Sequence, residues 1–383
     1  MDFRFTDEQE ALREMARAFL AEASGPEQVR AAMASERGHD PELWKRIASE
    51  LGWPAVTIPE AHGGLGLSQV ELIALMEVTG EALLCAPLFS SVCLGASALC
   101  TAGSEEQKRT WLPGIAEGTT TATLAHAEDH GDWDPQRIEA RFRHEGDTLV
   151  FSGRKQHVVD GHTADLVILA AREEGSRGRE GLALFLAPAD TPGLGRRARP
   201  TLDQTRRLAA IELEGLRLPT SARLGDAGAD ALDTILQRAA IALAAEQLGG
   251  AQRCLEMAVA YAKERVQYGR PIGAFQAIKH KCADMMTRVE CARSAVYYAA
   301  CVAAEGGEEL PLAASMAKAA ASDAYSFVSG SALQIFGGVG FTWEYDIHLY
   351  FKRARSSTTL LGDVAYHRER VARAIGLDDP PAS

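Results

Sequence analysis

One carboxylate stands alone on an otherwise uncharged helical face. Over residues 229–266 a stripe at helical spacing runs Leu232, Leu236, Ala239, Leu243, position 246, Gly250, Cys254, Met257 and Tyr261, and position 246 is a glutamate. A carboxylate surrounded by apolar side chains has its pKa raised toward the range in which it can act as a general base. Glu246 is therefore a candidate for proton abstraction. The other outcome for such a residue is structural: a buried ion pair with an arginine, or a hydrogen bond to a neighbouring helix.

A second set of residues could meet an anion. In RVQYGRPIGAFQAIKHKCADMM (265–286) a helix ends at Arg265, Tyr268 and Gly269, a Pro-Gly turn follows, and Phe275 with Gln276 opens the next helix. In QIFGGVGFTWEYDIHLYFKRARSS (334–357) a glycine pair follows Gln334, and Lys352, Arg353 and Arg355 cluster later. A guanidinium suits phosphate, and glycine lets backbone approach it closely. Taken singly, Arg265 reads equally as a solvated helix-end cation, and the glycine pair as a helix-terminating turn.

Other familiar chemistries are missing. The sequence has no G-x-x-x-x-G-K-[ST] phosphate loop, no G-x-S-x-G nucleophile turn and no H-E-x-x-H. His126, His130, His144, His157 and His162 are scattered without metal-ligand spacing, so no metal site is expected. The cysteines form no C-x-x-C pair, which fits reduced thiols. A net charge of −12 over 383 residues argues against a general nucleic-acid or anionic-membrane binder. No stretch approaches the roughly 18 apolar residues that span a bilayer. A cytoplasmic protein is expected.

The elements that must position these residues fall into three segments. Residues 1–119 carry helical periodicity, with a Thr6/Gln9 capping box and runs at 41–51, 68–85 and 104–116. Residues 120–226 read as a β domain, a small barrel or sandwich, with strands around 137–143, 166–171, 182–187 and 209–215 and an exposed loop at 173–181. Residues 227–383 return to long helices at 229–266, 275–305 and 311–336, the pattern of a four-helix bundle. The fold class is a multidomain α+β protein with an N-terminal helical, a middle β and a C-terminal helical-bundle domain.

Four motifs in this order resemble the acyl-CoA dehydrogenase family. PEAHGGLGLSQVEL and GSEEQKRTWLPGIAEG resemble its PE-x-x-GG-x-G and G-[ST]-x-x-Q-K-x-x-[WY]-L-P motifs. The segments at 265–286 and 334–357 resemble R-x-x-F-G-x-x-I-x-x-F-Q and Q-x-x-G-G-x-G-[YF], with Tyr268 in place of Phe. The resemblance implies FAD as cofactor, an acyl-CoA substrate, electron-transfer flavoprotein as acceptor and a tetramer, either of one chain or with a related one. It assigns Arg265 to the FAD diphosphate of a neighbouring protomer and Phe275 and Gln276 to the adenine end. Gln334, Gly337 and Gly338 are assigned to the diphosphate.

The departures are informative. Where many members carry the glutamate base of a Y-E-G-T motif, this chain reads TTLLGDVAYHRER, so Leu361 takes the place of the base. The resemblance puts Gly362 beside the substrate and Asp363 near the flavin, Asp363 being a second candidate base. Other members keep a base on the long helix at the position of Ala239, two turns before Glu246. In the β segment Glu128 and Lys155 match the family, whereas Ala127, His157 and Val159 replace residues that cradle the flavin ring. Leu361, Ala239 and Gly250 together would widen the pocket for a bulky acyl group. Two functions follow: a dehydrogenase using Glu246 and FAD, or a partner subunit of a heteromeric dehydrogenase that lends FAD contacts to an active neighbour. An oxidase on the same scaffold is a third.

Overall fold

The computed structural model describes residues 5–377. It opens with helices α1 (Asp7–Ala23), α2 (Pro26–Ala34), α3 (Pro41–Leu51), α4 (Gln69–Glu81), α5 (Ser97–Ala102) and α6 (Glu105–Ala116). Strands β1 (Ala122–Ala125), β2 (Arg141–Glu145), β3 (Thr148–Ser152), β4 (Arg154–Val159) and β5 (Leu166–Glu173) come next. They are followed by β6 (Leu182–Pro188), β7 (Leu194–Arg199), β8 (Leu208–Leu213) and β9 (Arg217–Pro219). Long helices α7 (Ala229–Glu264), α8 (Gln276–Glu305) and α9 (Leu310–Phe336) precede α10 (Ile347–Thr359) and α11 (Val364–Ala374). A hairpin of β10 (Val266–Gln267) and β11 (Arg270–Pro271) joins α7 to α8. The helical, β, helical succession is the one the periodicity implies.

Packing divides the chain into two units. The first gathers the described residues up to Ala31, Gln69–Leu84 and the described residues from Ala240 onward. Its first helix starts where the sequence places it: the Thr6 hydroxyl accepts from the Gln9 amide, and the Gln9 side chain accepts from the Thr6 amide. Helices α4 and α7 cross with no room for side chains at two glycines. A Cβ on Gly80 would sit 1.9 Å from the Glu246 carbonyl oxygen, and one on Gly249 would sit 1.8 Å from that of Glu77. The Glu77 carboxylate, fully buried on α4, is bonded by Arg13 of α1 at 3.2 Å and by Arg293 of α8. It also accepts from the Tyr297 hydroxyl at 2.6 Å. One carboxylate thus ties three helices, and the three donors satisfy its charge. Helix α9 lies against α8, α10 and α11, its small residues Ala313, Ala317, Ala321 and Ala324 buried in the contact.

The second unit contains α3, α5, α6, the strands β1–β9 and the start of α7. A six-stranded sheet orders its strands β1-β5-β2-β3-β9 with β6 beside β5, and a three-stranded sheet runs β4-β8-β7. Strand β5 pairs in parallel with β1 and β2, while the other ladders are antiparallel. The core is aromatic, with Phe142 and Phe151 packing edge-on against Phe185 at 4.7 and 4.8 Å. The alternation at 137–143 yields a strand only from Arg141 onward. Upstream, the Glu128 carboxylate accepts from the Glu139 and Ala140 amides at 2.7 and 2.9 Å, occupying donors that a sheet partner would need.

No helix among the described residues is long and apolar enough to cross a membrane, and no group of acidic, His or Cys side chains could hold a metal.

Candidate active site

Glu246 is buried on α7, and its partner is Arg353 on α10, with Nη1 2.5 Å from the carboxylate oxygen. An adjacent guanidinium favours the ionised carboxylate and opposes the raised proton affinity that a general base needs. This is the structural outcome open to such a residue, and it reassigns Arg353. Helical periodicity splits the 352–355 cluster. Arg353 points into the core, while Lys352 stacks over Trp343 at 5.0 Å and Arg355 over Phe351 at 5.1 Å.

The turn after α10 brings Leu361, Gly362 and Asp363 together. Leu361 adopts φ 60 and Gly362 φ 101, so two successive residues lie on the left-handed side. Such a conformation is costly for leucine and must be held from outside. A Cβ on Gly362 would fall 2.3 Å from the Tyr366 ring, so only glycine fits. Leu361 is buried and presents no carboxylate. Asp363 is exposed and caps α11 by accepting from the Tyr366 amide at 2.8 Å. His367 Nε2 lies 3.0 Å from the Leu361 carbonyl and must donate to it. Burial first, then the nearby Lys318, pushes the His367 pKa down to about 3, which keeps the imidazole neutral.

The residues expected to meet an anion occupy two exposed stretches of the same unit. Arg265 is exposed at the start of the β10–β11 hairpin. Phe275 there is covered by the Arg270 guanidinium at 4.2 Å, and Gln276 opens α8 exposed. At the end of α9, Gln334 is exposed and accepts from Lys281 Nζ at 2.9 Å. Gly337 and Gly338 are exposed too, with nothing within 4 Å of where a Cβ would stand. Exposed guanidinium, bare backbone and an aromatic face match the diphosphate and adenine end of FAD.

The second unit answers differently. Lys155 and Glu128 form a buried pair at 2.6 Å, and Lys155 also donates to the His126 carbonyl. Ala127 and Val159 are buried and apolar, and His157 sits at φ 56. Trp133 packs against the His126 ring at 5.2 Å. The side chains of alanine and valine offer no hydrogen bond to a flavin ring, so the side-chain groups kept here do not fit that end of FAD.

One expectation fails here, and one residue was missed. Gly250 holds no spare volume, because a Cβ there would lie 2.5 Å from the Tyr325 ring, which fills the gap. Lys318, fully buried on α9, bonds the turn at Gly362. It is a lone charge on a stripe of small residues, the same signal that singled out Glu246.

Comparison with known proteins agrees with this layout. Residues 6–119 match the acyl-CoA dehydrogenase N-terminal domain, and residues 226–376 match the C-terminal domain. The acyl-CoA dehydrogenase IpdE2 of Mycolicibacterium smegmatis is 37% identical over 93% of this chain and 95% of its own. The ChsE4-ChsE5 complex of Mycobacterium tuberculosis contains a chain that superposes with a TM-score of 0.91 at 28% identity, covering 100% of both chains. The Tcur3481-Tcur3483 steroid acyl-CoA dehydrogenase superposes with a TM-score of 0.88 at 31% identity, over 97% of this chain and 98% of that one. On this evidence the chain belongs to the acyl-CoA dehydrogenase family, oxidoreductases that act on CH–CH donors.

Proposed function

We propose that this chain is one subunit of a heteromeric, FAD-dependent acyl-CoA dehydrogenase that desaturates a bulky acyl-CoA between Cα and Cβ. The ion pair of Glu246 with Arg353 carries the reading. With Leu361 in the turn, Glu246 held in an ion pair with Arg353, and Asp363 exposed and capping α11, none of these three positions presents an unpaired carboxylate in an apolar pocket. Removal of the α-proton then falls to a carboxylate of the related partner chain.

This chain's own residues bind and orient. Arg265 meets the diphosphate of FAD, and Phe275 and Gln276 meet the adenine end. Gln334 donates from its amide nitrogen, and Gly337 and Gly338 admit the phosphates to backbone. When bound, FAD accepts the hydride that leaves the β-carbon. Gly362 offers backbone to the thioester end of the acyl-CoA, and the buried Leu361 beside it helps to keep water away. Likeness to the steroid enzyme Tcur3481-Tcur3483 points to a steroid-derived acyl group, and an electron-transfer flavoprotein is the acceptor we assign.

The test is the visible absorbance of the protein made alone and made together with a related chain. Alone it should purify without flavin; together they should form a yellow complex bleached by acyl-CoA. Stoichiometric flavin and turnover in the chain alone, both reduced by Glu246→Gln, would restore the self-sufficient enzyme and overturn the heteromeric reading.

A further inference from the structure

The turn at 361–362 holds a conformation that leucine disfavours, and its outer supports are few. His367 takes the Leu361 carbonyl. The Gly362 carbonyl accepts from Lys318 Nζ at 3.1 Å, and the same ammonium reaches the Thr358 carbonyl at 3.3 Å. Its third contact is the Ser322 hydroxyl at 2.9 Å. An ammonium has three donors, and all three are used. Ser322 passes the link on by donating to the Gln247 side chain at 3.1 Å. A buried polar chain therefore runs from Gly362 through α9 to α7, ending one residue from Glu246.

Such a cation is costly to bury among alanines, and nothing in the Glu246–Arg353 pair requires it. Lys318 has no carboxylate within ion-pair distance among the described residues; its partners are carbonyls and a hydroxyl. That set is suited to fixing backbone rather than to balancing charge. We propose that Lys318 is a positioning residue, which clamps the turn of Leu361 and Gly362 in the shape that receives the acyl-CoA. The clamp itself rests on this geometry, and its effect on substrate rests on the reading that Gly362 lies against the thioester.

The clamp is strongest with the ammonium. Neutral lysine keeps two hydrogens for the two carbonyls and accepts from the Ser322 hydroxyl, which then gives up its bond to Gln247. Deprotonation therefore replaces charge-assisted bonds with weaker neutral ones. Two titratable groups face Lys318, both from the α11 side: Asp363, which favours its charge, and His367, which stays neutral. Helix α10 presents the Thr358 carbonyl, α9 presents Ser322, and α7 presents the uncharged Gln247. Burial outweighs Asp363 and brings the lysine down to about 7, within reach of ordinary assay conditions.

The experiment compares wild type with Lys318→Met in the co-expressed, flavin-loaded assembly. Hydrogen exchange over residues 357–364 should speed up roughly tenfold in the variant as the turn loosens. KM for the acyl-CoA that bleaches the wild-type flavin should rise about fivefold with kcat within about twofold, as expected when binding alone is lost. The wild-type KM should climb above pH 7, and the variant's should not. Lys318→Gln, polar but too short to span both carbonyls, carries the same expectation should the Met variant fail to fold. Unchanged exchange over the turn, or an unchanged KM in a folded variant, overturns the clamp. A wild-type assembly that no acyl-CoA bleaches defeats the functional reading instead, and the exchange comparison still decides whether Lys318 holds the turn.

Discussion

Arg353 Nη1 and Glu246 Oε1 lie 2.5 Å apart inside the first unit, with both side chains at most 5% exposed. Helix α10 is thereby bonded to α7 by charges that must be kept or removed together. Removing one member strands the other in a low-dielectric interior. Replacing both by apolar groups of similar volume restores contact without charge. Arg353→Met should therefore lower unfolding stability by about 3–5 kcal/mol, and Glu246→Met/Arg353→Met should regain most of it. Denaturant unfolding of the three proteins measures this. A double variant no more stable than the single one would show that the site needs its charges.

Glu77 offers a graded version of the same argument. Tyr297 donates one of several bonds to this fully buried carboxylate, and Arg13 and Arg293 supply the rest. Tyr297→Phe removes a single hydrogen bond to a charged group and should cost roughly 1.5–3 kcal/mol. Glu77→Leu should cost more, because two cations then lose their shared acceptor. Equal losses in the two variants, read by thermal or denaturant unfolding, would mean that the tyrosine bond carries as much as the whole network, and no loss in Tyr297→Phe would mean the hydroxyl is dispensable.

Two buried bases give the stability a defined pH dependence. His367 is held near 3, against 6.5 in an unfolded chain, so between those values the unfolded state binds the extra proton. Stability from this residue is complete above pH 6.5 and is lost as pH falls toward 3. For Lys318 the folded value near 7 lies below the ordinary 10.5, so stability from that residue rises with pH between 7 and 10.5. Melting temperatures from pH 4 to pH 10 should show His367→Asn flatter than wild type below about 6.5 and Lys318→Met flatter above about 7. Parallel curves would show that neither residue titrates differently on folding.

Much of the fold was legible because its signals are local. Helices α3, α6, α8 and α9 appear within a residue or two of the stretches read from periodicity, and the capping box at Thr6 forms as the residue types dictate. The site was legible only in part, for a reason the residues make plain. A lone charge on an apolar stripe announces burial but not its partner. Glu246 was visible, yet Arg353 sat in a cluster read as able to meet an anion, and the two are 107 positions apart in sequence. Gly250 likewise read as open volume, because the ring that fills it comes from Tyr325 on another helix. Nor does period-two alternation reveal that Glu128 will take the amides of Glu139 and Ala140.

The exposed residues proposed to face the nucleotide allow a last prediction that separates charge from orientation. A lysine has no acceptor, so the atom of Gln334 facing Lys281 must be its oxygen, and the amide nitrogen is left to donate outward. On the proposed assignment Arg265 would contribute charge directly, whereas Lys281 would act in part by setting which end of Gln334 meets a phosphate. In the co-expressed assembly, Arg265→Ala should weaken FAD binding at least tenfold, and the loss should shrink in high salt, since an exposed charge is screened. Lys281→Met should weaken it only a few-fold, and in a Gln334→Ala background the same substitution should do less, because the group it orients is gone. Fluorescence titration of the apo-assembly with FAD reads all four variants. Additive effects of Lys281→Met and Gln334→Ala would mean that Lys281 meets the phosphate itself and orients nothing.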